Sequence, residues 1–472
     1  MTKKSSLTRR QVLAGLTVAC GGVAGLGGWA TYQNSLAKSP QPGPGFSTEG
    51  MPETSAQNMT YTSTSRSGDK ISMLGFGCMR YPVMPGENSP RSPNIDEAQA
   101  FALVDYALAH GVNYFDTAWG YHNGASQIVT GKALKRHPRD SFFLATKMPG
   151  YMNPSRARAK EMFETQLKNC QVDYFDYYLL HNLSLVSNYQ RTYEKEGVLD
   201  YLLEERKQGR IRNLGWSFHG DCAMLEYVLS RDVDWDFAMI QVNYHDLLRN
   251  VVPNPFIKKT VPVPAPSKWM LDKIVETKLP LVIMEPLLGG RLARLNGKAI
   301  RILQNEHAAA SPASWAFRYV AGLPNIMTIL SGMTYMEHLQ DNLQTFSPYV
   351  PLSDHEHQSL KAALDAFVVA DNIRCTTCGY CMPCPYGVDI PAVFKHHNNC
   401  LDDDINPTDA TKAAYNQARQ QYLTTLAREI PELRSASHCT GCGQCVAQCP
   451  QFIDIPHEMA KLSKYVRDLR KV

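Results

Sequence analysis

The chain has 472 residues, a length at which one hydrophobic core usually stops growing, so we expect a large folded domain and a smaller second one. Hydrophobic residues make up 44% of the sequence and charged residues 19%, which is the balance of an ordinary globular protein. The formal net charge of +4 is too small to suggest nucleic-acid binding, so no nucleic-acid partner is expected.

The first residues have the pattern of an export signal. Arg9 and Arg10 precede an uncharged stretch, 11–30, that is rich in glycine and alanine. The string 8–13 resembles the core of a twin-arginine signal. The resemblance implies a signal peptide over 1–37, passage through the twin-arginine (Tat) export machinery, and a periplasmic or other extracytoplasmic location.

Two other interpretations of this segment stay open. The uncharged run is nearly long enough to span a bilayer, so an uncleaved signal could keep the protein at the membrane. Cys20 could carry a lipid, although Thr17 stands where an aliphatic residue is expected. Residues 38–59 are rich in Ser, Pro, Gly and Thr and are predicted to form a flexible linker.

From about residue 70 to 345, short apolar runs alternate with helical patterns, which is the order expected of a parallel sheet with crossover helices. The predicted strands are Met73–Gly77, Val112–Phe115, Phe142–Thr146, Phe175–Leu180, Ile211–Trp216, Phe237–Gln241, Leu281–Met284 and Ile326–Leu330. The predicted helices include Ile95–His110, Ala125–Lys135, Arg156–Asn169, Asp221–Leu229 and Pro312–Val320. Eight strands predict an α/β fold, a (β/α)8 TIM barrel, over 60–350.

The ends of three consecutive predicted strands carry polar residues in a recognisable order. They read Phe115-Asp116-Thr117-Ala118-Trp119-Gly120-Tyr121, Thr146-Lys147 and Leu180-His181. With the opening string 74–80 and the strings Gly215-Trp216-Ser217, Gln241-Val242-Asn243 and 286–290, this set resembles the aldo-keto reductase family over roughly 70–345. The resemblance implies an oxidoreductase that acts on a small carbonyl or alcohol substrate.

Within that resemblance, four residues form the expected catalytic set. Reduction of a carbonyl needs a proton donor beside the developing alkoxide, and Tyr121 fits this role. The ammonium of Lys147 is expected to lower the pKa of the Tyr121 phenol, and Asp116 is expected to hold Lys147 charged through an ion pair. His181 is expected to orient the substrate carbonyl. All four lie at or just beyond strand ends, where barrel active sites are built.

The resemblance also implies a binding site for a nicotinamide cofactor. The residues implied for it are Ser217, Gln241, Ser331, Gly332, His338, Asp341 and Asn342. Four positions depart from the family pattern. Phe218 replaces the usual Asn, Met284 stands where an aromatic residue often stacks on the nicotinamide, and Gly332 and His338 stand where NADP-preferring relatives supply Lys and Arg. Binding of NAD, NADP or neither is therefore left open.

A proline-rich segment, Val252–Lys268, follows the sixth predicted strand. It holds five prolines and cannot form a regular helix, so it is predicted to be a long loop. At the active face of a barrel, such a loop is either a lid over the substrate or an insertion without that role.

Eight of the thirteen cysteines are concentrated in two short segments. Gaps of two residues are poorly suited to disulfides and well suited to one metal centre. The strings Cys375–Pro385 and Cys439–Pro450 resemble the paired motifs of bacterial two-cluster ferredoxins. The resemblance implies two 4Fe–4S clusters in a mainly α-helical, ferredoxin-like domain over 351–472.

In that family the fourth cysteine of each motif binds the other cluster. One cluster would then be held by Cys375, Cys378, Cys381 and Cys449, and the other by Cys439, Cys442, Cys445 and Cys384. The first motif is one residue shorter than the family pattern before its last cysteine, which leaves the exchange open. A four-cysteine zinc site is the alternative. A helix over Ala410–Ile430 is expected to pack on this domain or on the barrel.

Three functions follow from these patterns. The leading hypothesis is an exported oxidoreductase of the aldo-keto reductase type whose iron–sulfur clusters exchange single electrons with a redox partner protein. Hydride transfer moves two electrons together, and no flavin fingerprint is evident that would link the two processes. The alternatives are a nicotinamide-only reductase with structural clusters, and an electron-transfer or binding module with a catalytically silent barrel.

Overall fold

The computed structural model describes residues 56–87, 91–249, 266–367, 372–403, 405, 407 and 414–471. The predicted signal peptide and the first part of the predicted linker lie outside the described residues. So does the proline-rich segment except for its last residues, where Ser267 already begins a helix. Within the described ranges, no helix is both long enough and apolar enough to cross a membrane.

Eight parallel strands close into a barrel, as the sequence predicts. A two-stranded antiparallel hairpin, β1 and β2, precedes them, and the barrel order is β10-β3-β4-β5-β6-β7-β8-β9. The strands are β1 Tyr61–Thr62, β2 Ile71–Ser72, β3 Leu74–Gly77, β4 Tyr114–Asp116, β5 Phe143–Met148, β6 Phe175–Leu183, β7 Ile211–Phe218, β8 Phe237–Gln241, β9 Leu281–Met284 and β10 Ile326–Ser331. All eight predicted barrel strands are confirmed, with ends that differ by at most three residues.

The barrel interior is a packed core. Side chains from alternate strands fill it, among them Tyr114, Tyr177, Phe237 and Met327, together with Ile71 from the hairpin. This apolar core fills the barrel interior. The polar groups lie at the carboxyl ends of the strands, where barrel active sites are built. The barrel therefore presents one face on which a site can be built.

Helices follow the strands and surround the barrel. The α-helices of the barrel region are α1 Glu97–Ala109, α2 Ala125–Leu134, α3 Arg156–Cys170, α4 Val186–Tyr189, α5 Val198–Lys207, α6 Cys222–Leu229, α7 Tyr244–Arg249, α8 Ser267–Glu276, α9 Gly297–Glu306, α10 Pro312–Ala321, α11 Met336–Phe346 and α12 Asp354–Phe367. Several begin where a short polar side chain accepts a hydrogen bond from the first turn, as Asp96, Ser155 and Ser311 do. The five predicted barrel helices are all present.

The helix α12 lies in the segment that the sequence assigned to the cluster domain. It packs on α9 through Leu360, Leu364 and Phe367, which share one apolar cluster with Leu303 and with Trp315 of the barrel. The barrel unit therefore extends to about residue 367, and the domain boundary lies later than 350.

The C-terminal domain has its own helical core. Its helices are α13 Ile390–Asp402, α14 Tyr415–Glu429 and α15 Ile455–Arg470, and its described residues contain no strand. Phe394, Tyr422, Leu426 and Met459 are buried in this core, separately from the barrel core. The helix predicted over Ala410–Ile430 corresponds to α14, and it packs on its own domain.

Candidate functional site

The four predicted catalytic side chains come together at the carboxyl ends of β4, β5 and β6. Lys147 Nζ donates hydrogen bonds to Asp116 Oδ1 at 2.6 Å and to the Thr117 carbonyl at 2.9 Å, and it lies 3.5 Å from the Tyr121 hydroxyl. The Tyr121 and His181 rings meet edge to face, with centroids 6.2 Å apart. All four side chains are buried, so their charges and dipoles act in a medium of low polarity.

A strained turn positions Tyr121. The residue begins a short 3-10 turn in which His122 and Asn123 both have positive φ, at 50° and 52°. His122 is fully buried, and its Nδ1 lies 2.9 Å from the Ser92 carbonyl. Positive φ is costly for residues other than glycine and is commonly found at functional sites. The buried contact between His122 and the Ser92 carbonyl therefore stabilises this turn.

Burial dominates the ionisation of the pair beneath Tyr121. Burial raises the pKa of the Asp116 carboxyl, and the neighbouring Lys147 ammonium opposes that rise. Burial likewise lowers the pKa of the Lys147 ammonium, and Asp116 opposes that fall. Each charge therefore depends on the other, because neither would be stable alone in this environment.

The pKa of Tyr121 corrects one sequence-based expectation. Lys147 was expected to lower it, but burial raises the Tyr121 pKa well above the ordinary phenol value, and Tyr380 and Asp116 raise it further. The charge of Lys147 is already engaged by Asp116. Tyr121 is therefore a neutral phenol at ordinary pH, which is the form that donates a proton.

His181 is a neutral imidazole in this site. Burial lowers the pKa of His181 well below its ordinary value, and the neighbouring Lys147 and His219 lower it further. Its Nδ1 is buried and has no hydrogen-bond partner among the residues that the structure describes. A neutral imidazole with an unsatisfied buried nitrogen is suited to hydrogen-bond an uncharged substrate group.

The two residues predicted to contact the nicotinamide, Ser217 and Gln241, form hydrogen bonds with other residues of this chain. Ser217 Oγ accepts a hydrogen bond from the Asn182 backbone at 2.8 Å. The amide of Gln241 is paired with the amide of Gln451 in the C-terminal domain, through bonds of 2.8 and 3.4 Å.

The predicted adenosine side is also internally paired. Asn342 donates to Ser331 Oγ at 2.9 Å, and Ser311 donates to Asp341 at 2.7 Å. His338 packs against the ring of Tyr335, with centroids 5.2 Å apart. At Gly332, a Cβ atom would lie 2.7 Å from Cγ of Arg80, so the Arg80 stem covers this position.

The eight cluster cysteines fall into two groups of neighbours. Cys381 has Cys378, Cys375, Cys449 and Cys445 as electrostatic neighbours, and Cys445 has Cys439, Cys442 and Cys384. Cys449 lies near Cys378 and also near Cys445, so the exchange of the fourth ligands stays a prediction. Within the described part of the chain, no three His, Cys, Asp or Glu side chains converge closely enough to hold a single metal ion.

The two groups differ in surroundings. Cys442 is exposed, whereas Cys375 and Cys378 have Arg80, Glu285 and Arg91 of the barrel as electrostatic neighbours. The first group therefore lies near charged residues of the barrel, and in the second group Cys442 is exposed to solvent.

Replacing Cys442 with serine is expected to lower the iron content of the anaerobically purified protein by roughly half, because a cubane loses one of its four thiolate ligands. Iron and acid-labile sulfide per chain measure the effect. Cys222→Ser is the matched control, since Cys222 lies on α6, outside both groups. Unchanged iron in the Cys442 variant would contradict its assignment as a ligand.

The barrel and the C-terminal domain make a close backbone contact at Gly289. This residue has φ +68°, and a Cβ atom there would lie 2.5 Å from the carbonyl oxygen of Thr376 and 2.6 Å from its Cα. Only glycine allows this approach of one backbone to the other. The Arg80 guanidinium stabilises the same contact, because it donates a hydrogen bond to the Thr376 carbonyl at 2.9 Å.

Gly289→Ala is expected to destabilise the protein by about 1–3 kcal/mol more than Gly290→Ala, because only the first places a methyl group against a rigid backbone. Gly290 also has positive φ, at 96°, but an added Cβ would meet nothing within 4 Å. Urea unfolding followed by tryptophan fluorescence measures the difference. Equal losses in the two variants would mean that the contact at Thr376 is not tight.

Sequence reasoning missed the residues that the cluster domain brings to the site. Tyr380 lies between two cluster cysteines, stacks under the Arg91 guanidinium at 4.8 Å, and interacts electrostatically with Tyr121. With Trp119 and Tyr151 it lines a cavity of about 350 Å³ between the barrel and the cluster loop. Tyr151 also packs edge-on against His181 at 5.4 Å. An aromatic residue inside a metal-binding motif was the only signal in the sequence.

Comparison with known proteins agrees with both parts of the chain. Residues 74–365 match the model described as the aldo/keto reductase family, and residues 374–454 match the model of a 4Fe-4S dicluster domain. The protein is therefore an oxidoreductase built on a (β/α)8 barrel, with an iron–sulfur domain at its C-terminal side. It belongs to the aldo/keto reductase family.

Curated relatives match parts of the barrel. A probable aldo-keto reductase 1 from Glycine max is 31% identical over 158 residues, which cover 32% of this chain and 42% of the relative. The uncharacterized oxidoreductase YqkF from Bacillus subtilis is 25% identical over 305 residues, 58% of this chain and 87% of the relative. The chain thus spans less than half of the first relative's length.

Solved structures support the fold. The aldo-keto reductase AKR11C1 from Bacillus halodurans, in its holo form, is 24% identical, with a TM-score of 0.50, and the match covers 66% of this chain and 99% of that one. A thermostable aldo-keto reductase gives the same TM-score and identity over 65% of this chain.

Proposed function

We propose that this protein interconverts a small carbonyl compound and its alcohol, with Tyr121 as the acid and base and the iron–sulfur clusters carrying the electrons. The observation that supports this is the meeting of two features on one face of the barrel. The Tyr121, Lys147, Asp116 and His181 set lies at the strand ends, and the first cysteine group reaches the same ends through Tyr380.

The proton chemistry follows from the geometry of the side chains. In the reducing direction, the neutral Tyr121 hydroxyl donates its proton to the carbonyl oxygen. The resulting phenolate would lie 3.5 Å from the Lys147 ammonium, which stabilises the negative charge as it forms. His181, held edge-on between Tyr121 and Tyr151, orients the carbonyl by hydrogen bonding.

A cavity of about 350 Å³ lies beside the turn that carries Tyr121, since Gly120 and Asn123 line it, although the four catalytic side chains do not. This volume is at the lower end of the range for ligand sites, so a substrate that enters through this cavity would be small. Its walls include the rings of Trp119, Tyr151 and Tyr380, which favour a flat or apolar compound.

Electrons enter from outside the chain. Reduction of a carbonyl to an alcohol takes two electrons and two protons, of which Tyr121 supplies one proton to oxygen and solvent supplies the other. When bound, the clusters supply single-electron storage and transfer. We assign the reductant to a redox partner protein that delivers one electron at a time, docking near the exposed cysteine Cys442.

The test uses the iron-replete protein under anaerobic conditions. After chemical reduction of the clusters, addition of a small aldehyde or ketone should restore the visible absorbance of the oxidised clusters, with alcohol formed in proportion. Alcohol formation from a reduced nicotinamide, without any change in that absorbance, would instead support a reductase with structural clusters.

The N-terminal pattern supports a proposal about location. We propose export by the twin-arginine route, because that route carries folded cargo and clusters are assembled before export. Arg9→Lys with Arg10→Lys is expected to leave the protein in the cytoplasm, as measured by fractionation and immunoblotting. The matched control is Lys3→Arg with Lys4→Arg, which keeps the charge and the arginine pair. Normal export of the double-lysine variant would exclude this route.

A further inference from the structure

We infer that the cluster domain takes the place in which the family binds its nicotinamide cofactor, so that this barrel receives electrons without binding NAD or NADP. The inference deepens the proposed function by naming the electron source, and it rests on that function. Its structural basis is independent of catalysis, because it depends on which groups cover the carboxyl ends of β3, β8, β9 and β10.

The first contact is at the end of β8. Gln241 is the residue expected to hold the nicotinamide amide group, and its own amide is instead paired with Gln451, a residue only 9% exposed. Next to it, Arg374 donates to Asp246 at 3.3 Å. Arg374 directly precedes Cys375, and Gln451 closely follows Cys449. Both contacts with the end of β8 are therefore made by residues next to cysteines of the first group.

The second contact is at the end of β9. There the loop carrying Gly289 meets the backbone of Thr376 so closely that not even a methyl group would fit. Thr376 is 2% exposed, and the Arg80 guanidinium holds its carbonyl from the β3 side. A dinucleotide crossing from Gln241 toward Gly332 would have to displace this loop.

The third contact covers the adenosine side. The Arg80 stem lies across Gly332, so the position has no room for a further atom. Ser331 and Asp341, two groups expected to meet the adenosine half, are hydrogen-bonded to Asn342 and Ser311. The expected site is therefore closed at both ends by residues of this chain.

The departures from the family pattern agree with a closed site. Phe218 cannot hydrogen-bond a carboxamide, Met284 provides no aromatic ring for stacking, and Gly332 provides no cation for phosphate. A barrel that never binds a dinucleotide needs none of these groups.

Binding is tested on the iron-replete full chain, with NADPH and NADH as probes. Nicotinamide fluorescence titration and equilibrium dialysis are expected to find no saturable binding up to about 1 mM, which corresponds to less than about 4 kcal/mol of binding free energy. Hydrogen exchange of peptides covering 241–249, 285–292 and 374–381 is expected to be unchanged by either nucleotide. Saturable binding at one nucleotide per chain, with altered exchange in these peptides, would overturn the inference.

Two variants separate docking from folding. Gln451→Glu sets a carboxylate near Asp246 and is expected to increase hydrogen exchange of 241–249, while the control Gln444→Ala, on an exposed loop, leaves it unchanged. Unchanged exchange in Gln451→Glu would mean that the contact does not close the site. The cluster reoxidation assay is independent of these measurements. If the protein binds a nucleotide and a carbonyl compound still reoxidises the clusters, only this inference is overturned. If the protein binds no nucleotide and a carbonyl compound does not reoxidise the clusters, only the proposed function is overturned.

Discussion

Tyr121→Phe is expected to lower carbonyl reduction by about 10²–10⁴-fold, because the variant removes the hydroxyl that lies 3.5 Å from the Lys147 ammonium. The ring and its edge-on contact with His181 remain, so the cavity keeps its shape. The measurement is the rate of alcohol formation by the chemically reduced protein, normalised to iron content.

Two controls make the result specific to the hydroxyl. Iron per chain should be unchanged in Tyr121→Phe, since the residue is not a ligand. Tyr106→Phe removes a hydroxyl from α1, where the ring stacks on His110 away from the site, and should leave the rate unchanged. Full turnover in Tyr121→Phe would show that another group donates the proton and would remove Tyr121 from the mechanism.

The barrel and the meeting of the four candidate catalytic residues were predictable because they depend on local patterns. Apolar strands alternate with capped helices, and Asp116, Lys147 and His181 end consecutive parallel strands. Parallel strands in register bring their carboxyl ends to one edge, so three positions far apart in sequence had to become neighbours. No information beyond strand order was needed to bring them together.

The docking of the cluster domain was not predictable in this way. Gln241 and Gln451 are 210 residues apart, and neither belongs to a periodic pattern that points toward the other. The family resemblance implied a nicotinamide contact for Gln241, and a glutamine at a strand end has the same chemistry toward a cofactor amide as toward another glutamine. Only the packing of two domains distinguishes these partners.

The pKa of Tyr121 could not be predicted for a related reason. The sequence shows that a lysine is near, but it does not show how deeply the phenol is buried or that Asp116 engages the ammonium at 2.6 Å. Burial raises the pKa of Tyr121 well above the ordinary phenol value. In the proposed mechanism the ammonium acts when charge develops on Tyr121, which would favour the transition state over the resting enzyme.

Lys147→Met is expected to destabilise the protein by about 3–5 kcal/mol near neutral pH, because it leaves the Asp116 carboxylate buried without its counter-ion. Both side chains are at most 2% exposed, so solvent cannot replace the lost partner. The free energy of unfolding, from urea titration of the iron-replete protein, measures this loss. Methionine keeps the length and the apolar stem of lysine, so the change reports on charge more than on packing.

The loss should depend on pH in a defined direction. Burial already raises the pKa of Asp116, and without Lys147 it rises further above the unfolded value. A group with a raised folded pKa favours the folded state at low pH and costs stability as pH rises, so the penalty should be larger at about pH 8 than at about pH 5. Lys147→Met with Asp116→Asn removes the charge and should recover most of the stability. A penalty that is independent of pH and persists in the double variant would indicate a packing defect in place of an unpaired carboxylate.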